Sequence, residues 1–325
     1  MSNNDSFPIG GIDYPRTLQE FDQWFSTEGA CIVYLKRLRW PDGFICPICH
    51  GVRCWHTETG LVRCAACQRQ ISVIAGTILQ GTRKPLKLWF QAMWYVTSQK
   101  FGGNALGLKR VLGLGSYQTA WSWLHKMRRA MVRPERERLS GNIEVDETLV
   151  GGEEHNGKRG RGAGRKSIVV IAVEVHEPKG FGRIRMQRIP DASGRSLIAF
   201  VCNPVEPGAT ILTDSWRGYN ALQKSGYTHR KINLSESGDP AHVVLPGVHR
   251  ISSLLKRWII GTLQGSISDK HIDYYLDEYT FRFNRRNSKA RGLLFYRLLQ
   301  QAVMITPVTY REIVGGKIHA PDSID

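Results

Sequence analysis

The chain has 325 residues, room for two or three domains, and its 42% hydrophobic content excludes a disordered basic polypeptide. A formal net charge of +17, with a pI near 9.8, creates a field that draws in polyanions, either nucleic acid or an anionic membrane surface. The membrane reading fails because the most apolar run, residues 168–173, stops at Glu174 and is far too short to span.

Residues 1–5 hold neither the basic nor the apolar part of a signal peptide, so a cytoplasmic, nucleoid-associated protein is expected. Residues 1–43 read as a helical segment built on Leu18, Phe21, Trp24, Phe25, Tyr34, Leu35 and Leu38. Two Cys-x-x-Cys pairs follow, Cys46 with Cys49 and Cys64 with Cys67, inside a predicted ribbon over 44–76. Each pair makes a tight turn that aims two thiolates at one ion, and two such turns complete the tetrahedron of a structural Zn²⁺. Cys54, His50 and His56 stand close enough in the chain to substitute as ligands, while Cys31 and Cys202 read as buried thiols.

Over 84–133 the period becomes helical, with Leu88, Trp89, Ala92, Met93 and Val96 on one stripe. A helix over 104–112, a glycine-containing turn at 113–115 and a second helix from Ser116, a candidate N-cap, give the outline of a helix-turn-helix. A plain three-helix scaffold has the same outline. On the first reading, Lys126, Arg128 and Arg129 in the second helix are candidate DNA contacts.

The chain then takes on an α/β character. Strands are expected over 143–150, 167–175, 182–189, 209–213 and 228–233, with helices over 195–201, 219–224, 247–262 and 270–285. Three antiparallel strands, then helix, strand, helix, strand, helix, is the element order of an RNase H-like fold, here assigned to 141–290 and followed by a C-terminal helical tail over 291–325. Between the first two strands lies a glycine-rich basic stretch that includes Arg159 and Arg161 and could follow a phosphate backbone. Arg282, Arg285 and Arg286, near the end of the last helix of this region, are further DNA candidates; their alternative role is as solvated cations favoured by the helix dipole.

A sheet of this order gathers oxygen ligands for two hard divalent ions, Mg²⁺ or Mn²⁺, at the ends of its central strands. The first strand offers Asp146, on the face it shares with Glu144 and Thr148, and the fourth offers Asp214 at its end. On the helix over 247–262, His249, Ser253 and Lys256 share the polar side, opposite Ile251, Leu254, Leu255 and Trp258. Helical geometry fits a ligand face and a solvated face equally well.

In several stretches the chain resembles the zinc-ribbon insertion-sequence transposases with a DDE catalytic domain, insertion-sequence family 1595. These stretches are Trp-Pro-Asp-Gly-Phe-Ile-Cys-Pro-Ile-Cys at 40–49, Val-Asp-Glu-Thr-Leu-Val-Gly-Gly at 145–152, Thr-Asp-Ser-Trp-Arg-Gly-Tyr at 213–219, Leu-Lys-Arg-Trp-Ile-Ile-Gly-Thr at 255–262, and the run at 275–286. The resemblance implies that Asp146 and Asp214 are the two catalytic aspartates, and that Lys256 is the basic residue seven after the third ligand. That position holds His249 where most such enzymes carry Glu, as in a subgroup of the family, and an imidazole is a softer ligand that tilts preference towards Mn²⁺. Glu236, Asp239 and His242 are alternative third ligands.

The implied activity is 3′-end cleavage and strand transfer on double-stranded DNA, both terminal inverted repeats and target, by a homodimer on paired ends. The alternatives are a catalytically decayed DNA-binding regulator and a structure-selective nuclease of the same fold.

Overall fold

A computed structural model describes residues 7–58, 60–133, 136–151, 166–176, 178, 180–233, 238, 240–265 and 267–316. The chain divides into two compact units. One joins the residues up to Arg133 with Ser288–Val314, and the other joins Pro134–Asn287 with the residues from Gly315 on.

In the first unit, α1 (Leu18–Trp24) and α2 (Glu28–Arg39) begin at Thr17 and Thr27, whose hydroxyls accept hydrogen bonds from the N–H groups of Glu20 and Ala30. Strands β1 (Cys54–His56), β2 (Val62–Cys64) and β3 (Gln70–Ile71) form a small antiparallel sheet in chain order. Helices α3 (Leu86–Ser98), α4 (Ala105–Val111) and α5 (Tyr117–Arg129) follow. Asn104 and Ser116 cap α4 and α5, and Gly113, at φ +61°, makes the turn between them. Trp123 of α5 stacks on Trp89 of α3 with ring centroids 3.8 Å apart.

The helix Arg291–Ala302 joins this unit and does not stand apart as the expected tail. Its Phe295 meets Phe21, Phe25, Phe90 and Trp94 edge-on or tilted, at 5.4–5.8 Å between centroids. A Cβ on Gly292 would lie 1.7 Å from the carbonyl oxygen of Pro15, so the helix seats directly on the segment ahead of α1.

The second unit is built on a five-stranded sheet of β4 (Asn142–Val150), β5 (Ser167–Val175), β6 (Phe181–Ile189), β7 (Thr210–Asp214) and β8 (Thr228–Ile232), in the order β6-β5-β4-β7-β8. The first three strands pair antiparallel, while β4–β7 and β7–β8 are parallel. Strand β5 reads as an almost unbroken apolar run because both its faces are covered. Val170 and Ala172 pack with α6 (Gly194–Cys202). Val169, Ile171 and Val173 pack with α8 (Pro246–Leu263), which follows the single turn α7 (Ala241–Val244), and with α9 (Ile272–Asn284).

The helix expected over 219–224 is instead two 3₁₀ turns, Arg217–Tyr219 and Gln223–Ser225. Tyr219 and Leu222, three apart and both fully buried, suit the three-residue period of that conformation. No described helix is long and apolar enough to cross a membrane.

Candidate active site and zinc centre

The four cysteines converge as their spacing predicts. Their sulfurs all lie within 4.8 Å of one another, with Cys46 Sγ 3.8 Å from Cys67 Sγ and Cys49 Sγ 3.6 Å from Cys64 Sγ. A tetrahedral zinc with Zn–S bonds of about 2.3 Å sets its sulfurs roughly 3.8 Å apart, so the cluster fits the ion.

The two turns are built alike. The N–H of His50 donates to Cys46 O and that of Cys46 to Gly51 O; the N–H of Gln68 donates to Cys64 O and that of Cys64 to Arg69 O. His50 and Gln68, the residues just after each pair, both take φ +59°. Against its burial, backbone N–H groups of Cys49 and Ile48 hold the Cys46 thiol down at about 6. Cys49, despite the N–H of Gly51, is pushed up to about 12 by the neighbouring sulfurs. Cys54, His50 and His56 are not in the cluster.

The polar face of β4 meets α8 at three successive positions. Glu144 Oε2 accepts from the N–H of Val248 at 3.0 Å, Asp146 Oδ2 stands 3.8 Å from His249 Nε2, and Ser252 Oγ donates to Thr148 Oγ1 at 2.8 Å. The alternation of residues 144, 146 and 148 places all three on one face of the strand. Burial, with His242 and Lys256 nearby, lowers the His249 pKa from its ordinary value, which favours the neutral ring with a lone pair free for a metal.

Asn142, Ile143 and Glu144 lie opposite Thr210, Ile211 and Leu212 in the parallel ladder. Continuing that register sets Asp146 opposite Asp214, at the end of β7. The Oδ1 atom of Asp214 accepts the N–H of Trp216 at 3.0 Å, and the Trp216 indole N–H donates to Ala192 O at 2.9 Å. Lys256 lies two turns along α8 from His249 with an exposed head. Burial of its stem and the nearby Lys166 lower its pKa, which marks a locally positive surface.

Glu144 was recognisable only as a neighbour of Asp146, yet it is 3% exposed and holds the start of α8 in place. That helix begins at Leu245-Pro246-Gly247 with no capping side chain of its own, a sequence sign that a distant carboxylate takes the free N–H groups. Burial raises the pKa of Glu144, while the N–H groups of Val248 and Gly247 oppose the rise. A Cβ on Gly247 would come 2.8 Å from Glu144 Oε2 and 2.9 Å from Val173 Cγ1, so only glycine permits this approach. Glu144→Ala is expected to cost about 1–3 kcal/mol of stability by stranding buried N–H donors. Glu144→Gln, which keeps an oxygen acceptor, should lose much less, and urea unfolding of the two variants checks the difference.

Most of the expected DNA-contacting cations that fall on described residues are engaged elsewhere. Arg128 is 2% exposed, inside the apolar side of α5. Lys126 and Arg129 are half-buried, and burial lowers the Lys126 pKa. Arg282 donates to Glu278 Oε1 through Nε at 2.9 Å and Nη2 at 2.8 Å, and Glu278 is wholly buried. Arg285 lies over the Phe281 ring at 4.2 Å. Arg286 lies over Phe283 at 4.0 Å and donates to the carbonyls of Gly182 and Phe181, tying the end of α9 to β6. Arg282 and Arg286 thus carry structural bonds, and Arg286 also remains exposed. Arg159, Arg161, Glu236 and Asp239 lie outside the described residues.

A four-cysteine ribbon ahead of an α/β unit is the arrangement of the zinc-ribbon transposases. Residues 26–70 match the transposase zinc-ribbon domain, and residues 138–284 match the ISXO2-like transposase domain. The chain belongs to the insertion-sequence family 1595 transposases. It is also 24% identical, over 116 residues, to an uncharacterized transposase-like protein of Haemophilus influenzae, a stretch that covers 36% of this chain and 93% of that protein.

Proposed function

We propose that this transposase binds the terminal inverted repeats of an insertion sequence and carries out metal-dependent 3′-end cleavage and strand transfer on DNA. The observation that carries the reading is the approach of His249 Nε2 to within 3.8 Å of Asp146 Oδ2; Asp214 ends the adjoining parallel strand, two residues past its last partner on β4. The strand order, with helices on both faces, supports an RNase H-like fold for the second unit.

Asp146, Asp214 and His249 are the groups that would hold two Mg²⁺ or Mn²⁺ ions. Bound there, the ions would supply charge neutralisation at the scissile phosphate and an activated oxygen nucleophile. The two carboxylates provide hard anionic donors, and neutral His249 provides a softer one that favours Mn²⁺. Lys256 would hold a terminal phosphate beside them. The ribbon and α3–α5 would recognise the repeats, and a homodimer would pair the two ends within the cytoplasm.

The test is cleavage of duplex DNA ending in the element's own repeats, with Mg²⁺ or Mn²⁺. Asp146→Asn and Asp214→Asn should each lower cleavage at least about a hundredfold, from the loss of several kcal/mol of charge stabilisation. His249→Glu should move the preference towards Mg²⁺. Binding without cleavage in any metal would replace this reading with that of a decayed regulator, and cleavage without joined products would point to a nuclease.

A further inference from the structure

The backbone pairing between the two aspartate-bearing strands ends before it reaches the aspartates. The last partners are Glu144 and Leu212, and Asp146 and Asp214 each lie two residues beyond them. Strand β4 continues to Val150 while β7 stops at Asp214. Past this point no backbone pair among the described residues joins β4 to β7 directly, although β5 still pairs with Asp146 and β8 with Asp214, and a direct tie between the two strands falls to side chains.

One such bond spans the opening. The hydroxyl of Tyr219, five residues after Asp214, donates at 2.8 Å to Oε2 of Glu147, the residue after Asp146. Tyr219 is fully buried among Ile143, Val145, Leu197 and Ile211, which fixes its ring. Gly218 lets the chain turn inward there, since a Cβ at that position would stand 2.7 Å from both Leu197 Cδ1 and Trp216 Nε1. Asp214 is itself held by the Trp216 N–H at the other end of the same short segment. The segment therefore runs from one aspartate to the neighbour of the other, with a backbone N–H at the Asp214 end and the buried Tyr219 side chain at the Glu147 end.

We infer that Tyr219 is a positioning residue that sets the spacing of Asp146 and Asp214 by clamping Glu147 across the open end of the sheet. The inference rests on the reading of those two aspartates as metal ligands. Partners outside the ligand shell typically change metal affinity or activity by about 10–100-fold when removed. Phe at 219 retains the packed ring and deletes only the hydroxyl, so fold and clamp separate cleanly.

The experiment measures Mn²⁺ binding to the full chain by the paramagnetic resonance of free Mn²⁺, alongside cleavage and thermal unfolding. Wild type is compared with Tyr219→Phe, Glu147→Ala, the double variant, Asp146→Asn and Asp214→Asn. Tyr219→Phe should weaken Mn²⁺ binding about tenfold while the protein melts near the wild-type temperature. Glu147→Ala should match it, and the double variant should be no weaker than either single change. Wild-type Mn²⁺ affinity in Tyr219→Phe, alongside losses in both aspartate variants, overturns the clamp but leaves the ligand reading intact. Unchanged affinity in the aspartate variants removes the ligand reading and the clamp with it. A loss in Tyr219→Phe that only follows the fraction unfolded, or a far larger loss in Glu147→Ala, also overturns the clamp.

Discussion

Stripping zinc from the protein is expected to unfold the ribbon over 44–76 while the five-stranded sheet stays folded. The ribbon's core consists of Phe44, Cys46, Val62, Cys64 and Ile71, with Trp40, Cys54 and Cys67 packed against it. Three of those eight are themselves ligands, so the apolar remainder is too small to hold three short strands unaided. Structural zinc supplies an apparent folding free energy of about 10–16 kcal/mol in finger peptides, the largest single contribution expected in this molecule. Hydrogen exchange read residue by residue checks it. With chelator, protection should vanish at the amides of Cys46, His50, Cys64 and Gln68, which bond within the two turns, and persist along β4 and β5. Retained protection in the turns after complete metal loss would contradict the assignment. Because the ligands must be deprotonated, binding should also weaken as the pH falls.

Arg282→Met should cost about 3–5 kcal/mol, because it leaves the carboxylate of Glu278 buried without the guanidinium that neutralises it. The Glu278 side chain is 0% exposed and that of Arg282 only 13%, so solvent screens the pair little. Replacing both, as Arg282→Met with Glu278→Leu, should recover most of the loss, since an apolar pair of similar volume carries no desolvation penalty. Urea unfolding monitored by circular dichroism reads both effects. A DNA-contacting role predicts the reverse, with stability unchanged and the salt dependence of binding reduced by about 0.9 per lost phosphate contact.

The strands of the second unit were readable because each obeys a local rule. Strand β4 alternates polar and apolar residues, and β5 is apolar from Ile168 to Val173 because both its faces are covered. The ribbon was readable because metal geometry dictates the ligand spacing. The partners of the cations were not readable, because a charge near a helix end looks the same whether it faces water or a buried acid. A signal was nonetheless present: Glu278 lies four residues before Arg282, and Arg128 falls on the same helical stripe as Leu124. The role of Glu144 and the link from Tyr219 to Glu147 had no local signature at all. Each joins residues 72 or more positions apart in the chain, and such partners emerge only from the folded sheet. The same limit hid the seating of the helix Arg291–Ala302 on the first unit, which rests on aromatic contacts made across most of the chain's length.

That seating has a consequence for synthesis. Units of a multidomain chain fold as they emerge from the ribosome, and here the helices before Arg133 must wait for one that follows Ser288. The sheet and the helices packed on it are complete by Asn287 and can close while translation continues, whereas the aromatic cluster around Phe295 stays open until its helix is released. A message cut short ahead of Arg291 would thus yield the sheet without a completed first unit, which ties assembly of that unit to translation through Ala302.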